Sequence, residues 1–214
     1  MNEHESDTIT GIRVHWYEKF MAVLGAGRVY RQALFLLEPK AGERVLDVGC
    51  GTGTFLKLLR VEDPESLRGA DSNVSLDLIG IDVSEDMLRE ARKNASGISL
   101  RCADASALPF ANESFDAVVS ILALHHMSEA VKKQAIGEAT RVLKKDGRLI
   151  ILDLFRPKSR WGSSFRFWFN LHSFTRGNWE LILSELAQKG FTLAKEGAVR
   201  GFVGYLTARP ASNR

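Results

Sequence analysis

The sequence predicts an α/β protein in which helices cover a mostly parallel sheet. Short runs of β-branched and apolar residues alternate with segments of helical period, and no internal repeat or low-complexity stretch interrupts them. The run Phe115–Ile121 is almost unbroken in its apolar character, as in strands that helices bury on both faces. Such alternation is typical of parallel strands joined by helical connections.

Seven strands are predicted. Five of them precede the last helix and comprise Arg44–Val48, 76–81, about Ser99–Cys102, Phe115–Ile121 and 148–152. The runs 191–195 and 202–208 are joined by a glycine-containing turn, which predicts a closing β-hairpin.

The segments between the strands predict helices. The first of four helices starts near Thr52, and the second opens at Ser84. The third runs from Ser128 to Leu143, and the fourth spans Asn178–Gln188. Lys144, Lys145 and Gly147 are typical of a helix C-terminus and should end the third of these helices. Gly190 should stop the fourth. Residues 12–37 predict two helical pieces around Gly25 and Gly27.

The chain has 214 residues, which suits a single domain. We expect an N-terminal helical cap (1–38), a ligand-binding core (39–155), an aromatic lid or substrate region (156–180), and a C-terminal helix and hairpin (181–214). The polar segment 61–75 reads as a surface insertion.

Composition narrows the classes of partner. The formal net charge of +3 is too small a surplus to indicate a nucleic-acid partner. No window approaches the ~20 apolar residues of a membrane span, and the polar N-terminus lacks the apolar centre of a secretory signal. We therefore expect a cytoplasmic protein. Cys50 and Cys102 lack metal-ligand spacing, so we expect no metal site and two buried thiols.

A glycine-rich segment, VLDVGCGTG, lies where the first strand turns into a helix. Glycines at such a turn allow a sharp bend and let a ligand approach the main chain. No lysine follows to make a phosphate-binding loop, and Thr54 stands where the dinucleotide pattern needs its third glycine. Both departures argue against a pyrophosphate-containing cofactor.

Two carboxylates follow the next two strands. Asp82 ends the second strand, where a carboxylate can accept hydrogen bonds from a ribose diol. The alternative is that Asp82 only serves the N-terminus of the helix at Ser84. Asp104 follows the third strand, and its carboxylate with a neighbouring N–H would suit an adenine.

Together these motifs resemble the class I S-adenosylmethionine-dependent methyltransferases. VLDVGCGTG is close to the glycine-rich loop of that family, and IGIDVSEDML and CADASALPF match its next two motifs. FDAVVSILALHHM and RVLKKDGRLIILD resemble its fourth- and fifth-strand motifs. The resemblance covers roughly residues 30 to 210 and is strongest to small-molecule enzymes like the ubiquinone/menaquinone C-methyltransferases.

The resemblance implies a Rossmann-like, doubly wound, seven-stranded sheet of order 3-2-1-4-5-7-6, with the last strand antiparallel. It also implies S-adenosyl-L-methionine as cofactor and S-adenosyl-L-homocysteine as product. The cofactor-binding residues it implies are Asp47, Gly49, Gly51 and Gly53 for the methionine end, Asp82 for the ribose, Asp104, Ala105 and Met87 for adenine, and Ser120 and Leu122 on the methyl-transfer side. Cys50 and Val83 are implied as further cofactor-binding residues.

Transfer from a sulfonium needs alignment above all, and sometimes a base. His125 and His126 follow the fourth strand and are candidate catalytic bases, with His172 a third candidate. The alternative is that these histidines only line the pocket or cap the next helix.

The aromatic and basic stretch 161–179 has three readings. The stretch could form a lid over the acceptor pocket, which we expect, an amphipathic surface for peripheral membrane contact, or a helix packed in the core. The acceptor is expected to be a small molecule methylated at O, N or C, with a quinone-like molecule as first guess. An NAD-type oxidoreductase and a non-catalytic S-adenosylmethionine-binding regulatory domain remain as alternatives, and the oligomeric state is open.

Overall fold

A computed structural model describes residues 26–60, 75–154, 177–200 and 203–211. Most of the predicted N-terminal cap, nearly all of the 61–75 insertion and the greater part of the aromatic stretch lie outside these residues, as does His172. Their predicted roles remain predictions.

The described strands form one seven-stranded sheet. They are β1 (Arg44–Val48), β2 (Asp77–Asp82), β3 (Ser99–Cys102), β4 (Phe115–Ile121), β5 (Leu143–Leu154), β6 (Phe191–Arg200) and β7 (Val203–Pro210). The sheet order is β3-β2-β1-β4-β5-β7-β6. Strand β7 is antiparallel to both of its neighbours, and the other pairs are parallel. The Rossmann-like order implied by the resemblance is therefore confirmed.

Helices cover both faces of the sheet. They are α1 (Ala26–Leu37), α2 (Thr54–Arg60), α3 (Glu85–Asn94), α4 (Glu129–Val142) and α5 (Asn178–Gln188). Apolar residues of α1, α2 and α3 pack in one core cluster, and those of α4 and α5 pack in a second. The strand order reverses between β1 and β4, and a reversal of this kind opens a crevice at the carboxyl ends of the strands.

The junction of α4 and β5 differs from the prediction. Helix α4 ends at Val142, and β5 begins at Leu143, so the basic pair and Gly147 lie in the strand and not in a helix end. Leu143 pairs with Phe115 across a register shift, and Lys144 Nζ contacts Asp116 Oδ1 at 2.7 Å. Pairing with β4 therefore outweighs the local helix-stop signal.

Two further expectations need correction. Strands β6 and β7 are longer than the predicted runs 191–195 and 202–208. Cys50 is buried as expected, but Cys102 is exposed, because β3 lies at the edge of the described sheet, next to β2.

A buried arginine holds the first helix against the sheet. Arg148 on β5 donates to the Leu37 carbonyl at 2.5 Å and pairs with Glu43 at 2.6 Å. These contacts satisfy a carbonyl at the C-terminus of α1, which has no partner within the helix. They fix α1 over the strands whose other ends carry the glycine loop.

Gly80→Ala should destabilise the fold through overpacking. A Cβ at this position on β2 would lie 2.6 Å from Leu56 Cδ1 and 2.9 Å from Cys50 Sγ. We expect the free energy of unfolding, measured with denaturant, to fall by about 1–3 kcal/mol. Gly27→Ala on α1 is the matched control, because a Cβ there meets nothing within 4 Å. Equal losses in the two variants would contradict this packing.

Candidate active site

The glycine-rich loop joins β1 to α2 at the carboxyl edge of the sheet. The N–H groups of Gly49 and Cys50 both donate to the Ile81 carbonyl at 2.9 Å, which places the loop against the end of β2. Gly51 has a φ of +53°, in the left-handed region that residues with a Cβ rarely adopt.

The glycines of this loop serve different purposes. A Cβ on Gly49 would collide with the Cβ of Ala123, and one on Gly53 would lie 3.1 Å from the Cβ of Ala91. These two positions let the loop pack closely on the β4 edge and on α3. A Cβ on Gly51 would meet nothing within 4 Å, so the backbone there is open to a ligand.

Asp82 ties this loop to the second strand. Its Oδ2 accepts the Gly51 N–H at 2.9 Å, and its Oδ1 accepts the Ser84 N–H at 2.8 Å. Burial raises the pKa of Asp82, although the backbone N–H groups of Ser84, Gly51 and Val83 act in the opposite direction. Asp82 thus serves the start of α3, as the simpler reading expected, and also contacts the glycine loop.

Asp47 is a buried carboxyl group that forms no ion pair with any described residue. Its exposed fraction is 2%, and no described residue donates a hydrogen bond to it. Burial, together with the charge of Asp82, raises the pKa of Asp47 to about 8. A buried carboxyl without a partner fits a ligand that brings a positive charge or a hydrogen-bond donor.

The residues proposed for the adenine side lie around the ends of β2 and β3. Val83 is 64% exposed, unusual for an apolar side chain next to a buried strand. Asp104 Oδ1 accepts the Ser106 N–H at 2.8 Å, and Ala105 is buried. Met87 is buried on the first turn of α3, where its N–H donates to the Ser84 hydroxyl at 3.3 Å.

The end of β4 carries the remaining predicted residues. Ser120 is buried, and its Oγ has no hydrogen-bond partner among the described residues. Leu122 has a φ of +55°, which is strained for a residue with a Cβ, and its N–H donates to Leu152 at 2.7 Å. Backbone strain of this kind is characteristic of functional sites.

His125 is held by a carboxylate that the sequence reasoning missed. Its Nδ1 lies 2.8 Å from Oδ1 of Asp153, and its backbone N–H donates to Oδ2 at 3.2 Å. The side chain of Asp153 is fully buried, and that of His125 is 13% exposed. The sequence did contain a signal for Asp153, because this acidic residue directly follows Leu152, the predicted end of the buried strand β5.

This contact orients the imidazole of His125. An ionised carboxylate can only accept, so Nδ1 carries the proton of the neutral ring and Nε2 keeps a lone pair. His126 is exposed, and the centroid of its ring lies 3.9 Å from that of His125. His125 is therefore the candidate base whose ring a described carboxylate orients.

Comparison with known proteins agrees with this geometry. Residues 46–151 match the family described as methyltransferase domain. The matched segment contains the glycine loop, Asp82 and the ends of β2 to β4. This chain carries a class I S-adenosylmethionine-dependent methyltransferase domain.

The most similar relatives include two demethylmenaquinone methyltransferases. The one from Thermotoga maritima is 33% identical over 137 residues, which is 64% of this chain and 52% of the relative. The one from Beutenbergia cavernae is 36% identical over 135 residues, 63% of this chain and 50% of the relative. The chain therefore spans about half the length of these relatives.

A solved structure supports the fold. A SAM-dependent methyltransferase of Thermotoga maritima, called a possible histamine N-methyltransferase, superposes with a TM-score of 0.66 at 22% identity. The match covers 92% of this chain and 95% of that one. At this identity the likeness concerns the fold alone.

The site of this methyltransferase domain fits the cofactor of its family. S-adenosylmethionine has an amino group and a ribose diol, and the site offers the unpaired carboxyl of Asp47 and the carboxylate of Asp82. The open backbone at Gly51 and the exposed face of Val83 leave room for the ligand beside both.

Among the residues that the structure describes, no cluster of three or more His, Cys, Asp or Glu side chains is arranged to hold a metal ion. None of the described helices has the length and apolar character needed to cross a membrane.

Asp47→Asn should flatten the pH dependence of stability. A carboxyl whose pKa is higher in the folded state stabilises the fold below its ordinary pKa of 3.8, and this contribution is lost as the pH rises through about 8. We expect the Asn variant to gain in melting temperature over the parent as the pH rises across that range. Calorimetry without cofactor measures this, and a constant difference would contradict the pKa assigned to Asp47.

Proposed function

We propose that this chain transfers the methyl group of S-adenosylmethionine to a small-molecule acceptor by in-line displacement. The observation that carries the proposal is the grouping of Asp47 and Asp82 around the open backbone of Gly51. The family match supports it. When bound, the cofactor supplies a methyl group on a sulfonium, already an activated electrophile.

Each part of the cofactor has a counterpart in the chain. Asp47 and the loop at Gly49, Cys50, Gly51 and Gly53 would hold the methionine end. Asp82 and Val83 would hold the ribose, with Asp104, Ala105 and Met87 around adenine and Ser120 and Leu122 beside the methyl group. The single hydrogen bonds that Gly51 and Ser84 donate to Asp82 leave its oxygens able to accept further bonds.

We infer that His125 is the general base and that Asp153 positions it. The 2.8 Å contact with Asp153 leaves Nε2 of His125 able to take a proton from the acceptor. Asp153 also stabilises the imidazolium that results, because it places a carboxylate beside the new charge. In this assignment His126 lies beside the base and does not itself accept the proton.

A hydroquinone-like ring is the first acceptor to test. The relatives named demethylmenaquinone methyltransferases, at 33% and 36% identity, suggest it. Removing a hydroxyl proton from such a ring makes a ring carbon nucleophilic, and this proton is the one that His125 would accept. The carbon would then attack the methyl group, the S–CH3 bond would break to release S-adenosylhomocysteine, and the same carbon would lose its proton to restore the aromatic ring.

Turnover with labelled cofactor tests the proposal. The protein is incubated with methyl-labelled S-adenosylmethionine and a reduced naphthoquinone, with the di-O-methyl ether as blocked control. We expect S-adenosylhomocysteine and labelled product only with the free hydroxyls. Cofactor binding without turnover on any O, N or C acceptor would favour a regulatory domain, and binding of NAD alone would favour an oxidoreductase.

Asp82→Ala should weaken binding of S-adenosylhomocysteine by about 1–3 kcal/mol, because a charge-assisted hydrogen-bonding group is lost. Isothermal titration measures the change. Asp77→Ala is the matched control, since Asp77 lies at the other end of β2 in an exposed ion pair with Arg44. Unchanged binding in the Asp82 variant would refute the ribose assignment.

Asp153→Asn should lower kcat by about 100-fold with little change in the KM for the cofactor, because His125 loses its orientation. His125→Gln should cost about as much, and the double variant no more than either, since the two residues act as a unit. The pH profile of kcat should lose the rise on its acidic side, which a general base produces. His126→Gln is the control, and an equal loss there would contradict the assignment.

A further inference from the structure

A groove of about 610 Å³ opens between α4 and α5. Its walls are the segment from Met127 to Lys133 and the side of α5 that begins at Gly177. The volume suits a small organic molecule. Met127 directly follows the two histidines, so the groove adjoins the proposed base.

Two helix N-termini face this groove. Ser128 caps α4, and Gly177 occupies the cap position of α5 without any side-chain cap. Both cap residues line the groove. The N-termini of helices carry partial positive charge, which favours a bound anion.

Lys132 is a buried cation that lines the groove. Its exposed fraction is 5%, and none of the described carboxylates forms an ion pair or hydrogen bond with it. Asp153 and Glu129 act on it only through space, and burial lowers its pKa. Lysines are almost never fully buried unless they are paired, so this side chain points to a ligand.

Asn178 supplies a second unpaired group. Its exposed fraction is 2%, and its Nδ2 donates to the Leu154 carbonyl at 2.9 Å. That bond fixes the orientation of the amide, and Oδ1 is buried without a hydrogen-bond partner among the described residues. Asn178 on α5 and Lys132 on α4 both line the groove, and of the two Lys132 supplies the charge.

The carboxylates of the groove limit how much negative charge it accepts. Glu129 is paired with Lys133 at 3.0 Å, Glu180 is exposed, and Glu185 is buried nearby. These groups would repel a phosphate or a dicarboxylate. The groove therefore suits a ligand with a single negative charge, carried by an oxygen that binds Lys132.

We propose that this groove is the acceptor subsite and that it selects small molecules with one anionic oxygen, bound by Lys132. This inference rests on the proposed function. Asp153 connects the two sites, because it contacts His125 and acts on Lys132. A carboxylate and a phenolate are the two sources of such an oxygen.

Two matched probe pairs test the subsite on the protein saturated with S-adenosylhomocysteine. The carboxylate arm compares 4-hydroxybenzoate with 4-hydroxybenzamide. The phenolate arm compares 4-nitrophenolate with 4-nitroanisole, at a pH where the phenol is ionised. In at least one arm, we expect the anionic probe to bind about tenfold tighter than its neutral partner, a difference of about 1.4 kcal/mol.

Variants at two lysines assign the preference. Lys132→Met should abolish it and Lys132→Arg should retain it, while Lys145→Met, with the same loss of charge at an exposed position that does not line the groove, should keep it. Lack of preference in both arms, or equal loss in the two Met variants, would overturn the subsite. Titration of each variant with S-adenosylhomocysteine distinguishes failure of the subsite from failure of the proposed function. A protein that does not bind S-adenosylhomocysteine contradicts the proposed function and not the subsite alone.

Discussion

The hydrogen bonds that Asp82 accepts from Gly51 and Ser84 organise the cofactor side of this molecule. They join the loop after β1 to the start of α3, so that a carboxylate and an open stretch of backbone lie at one point of the sheet edge. The same arrangement places Asp82 near the buried Asp47. Burial and the charge of Asp82 disfavour ionisation of Asp47, and a ligand with a positively charged group relieves that cost.

The parallel sheet explains why the acceptor side lies beside the cofactor side. Because β4 and β5 are neighbours that run in the same direction, His125 and Asp153 meet at their carboxyl ends although 28 residues separate them. Helix α4 begins at the same edge, and Asn178 at the start of α5 bonds to the last residue of β5. The order and direction of the strands therefore bring the base and the groove to the same edge of the sheet. Asp153 interacts with both, through His125 and Lys132.

The sequence was informative where local patterns decide the structure. The bounds of β1, β3 and β4 and the cap at Ser84 were confirmed, because alternation, glycine turns and capping residues act over a few positions. The start of β5 was wrong, since cross-strand pairing overrode a local helix-stop signal. The partner of His125 and the burial of Lys132 depend on contacts between distant segments, which periodicity does not encode.

The most direct test is isothermal titration of the parent and Asp47→Asn with S-adenosylhomocysteine, in buffers of different ionisation enthalpy. If the buried carboxyl of Asp47, with its pKa of about 8, receives the amino group of the cofactor, binding near neutral pH should release protons from the parent, and the Asn variant should lose that release and bind more weakly. Failure of the parent to bind, or the same proton release and affinity in both proteins, would contradict the assignment of Asp47 and the glycine loop as the cofactor site.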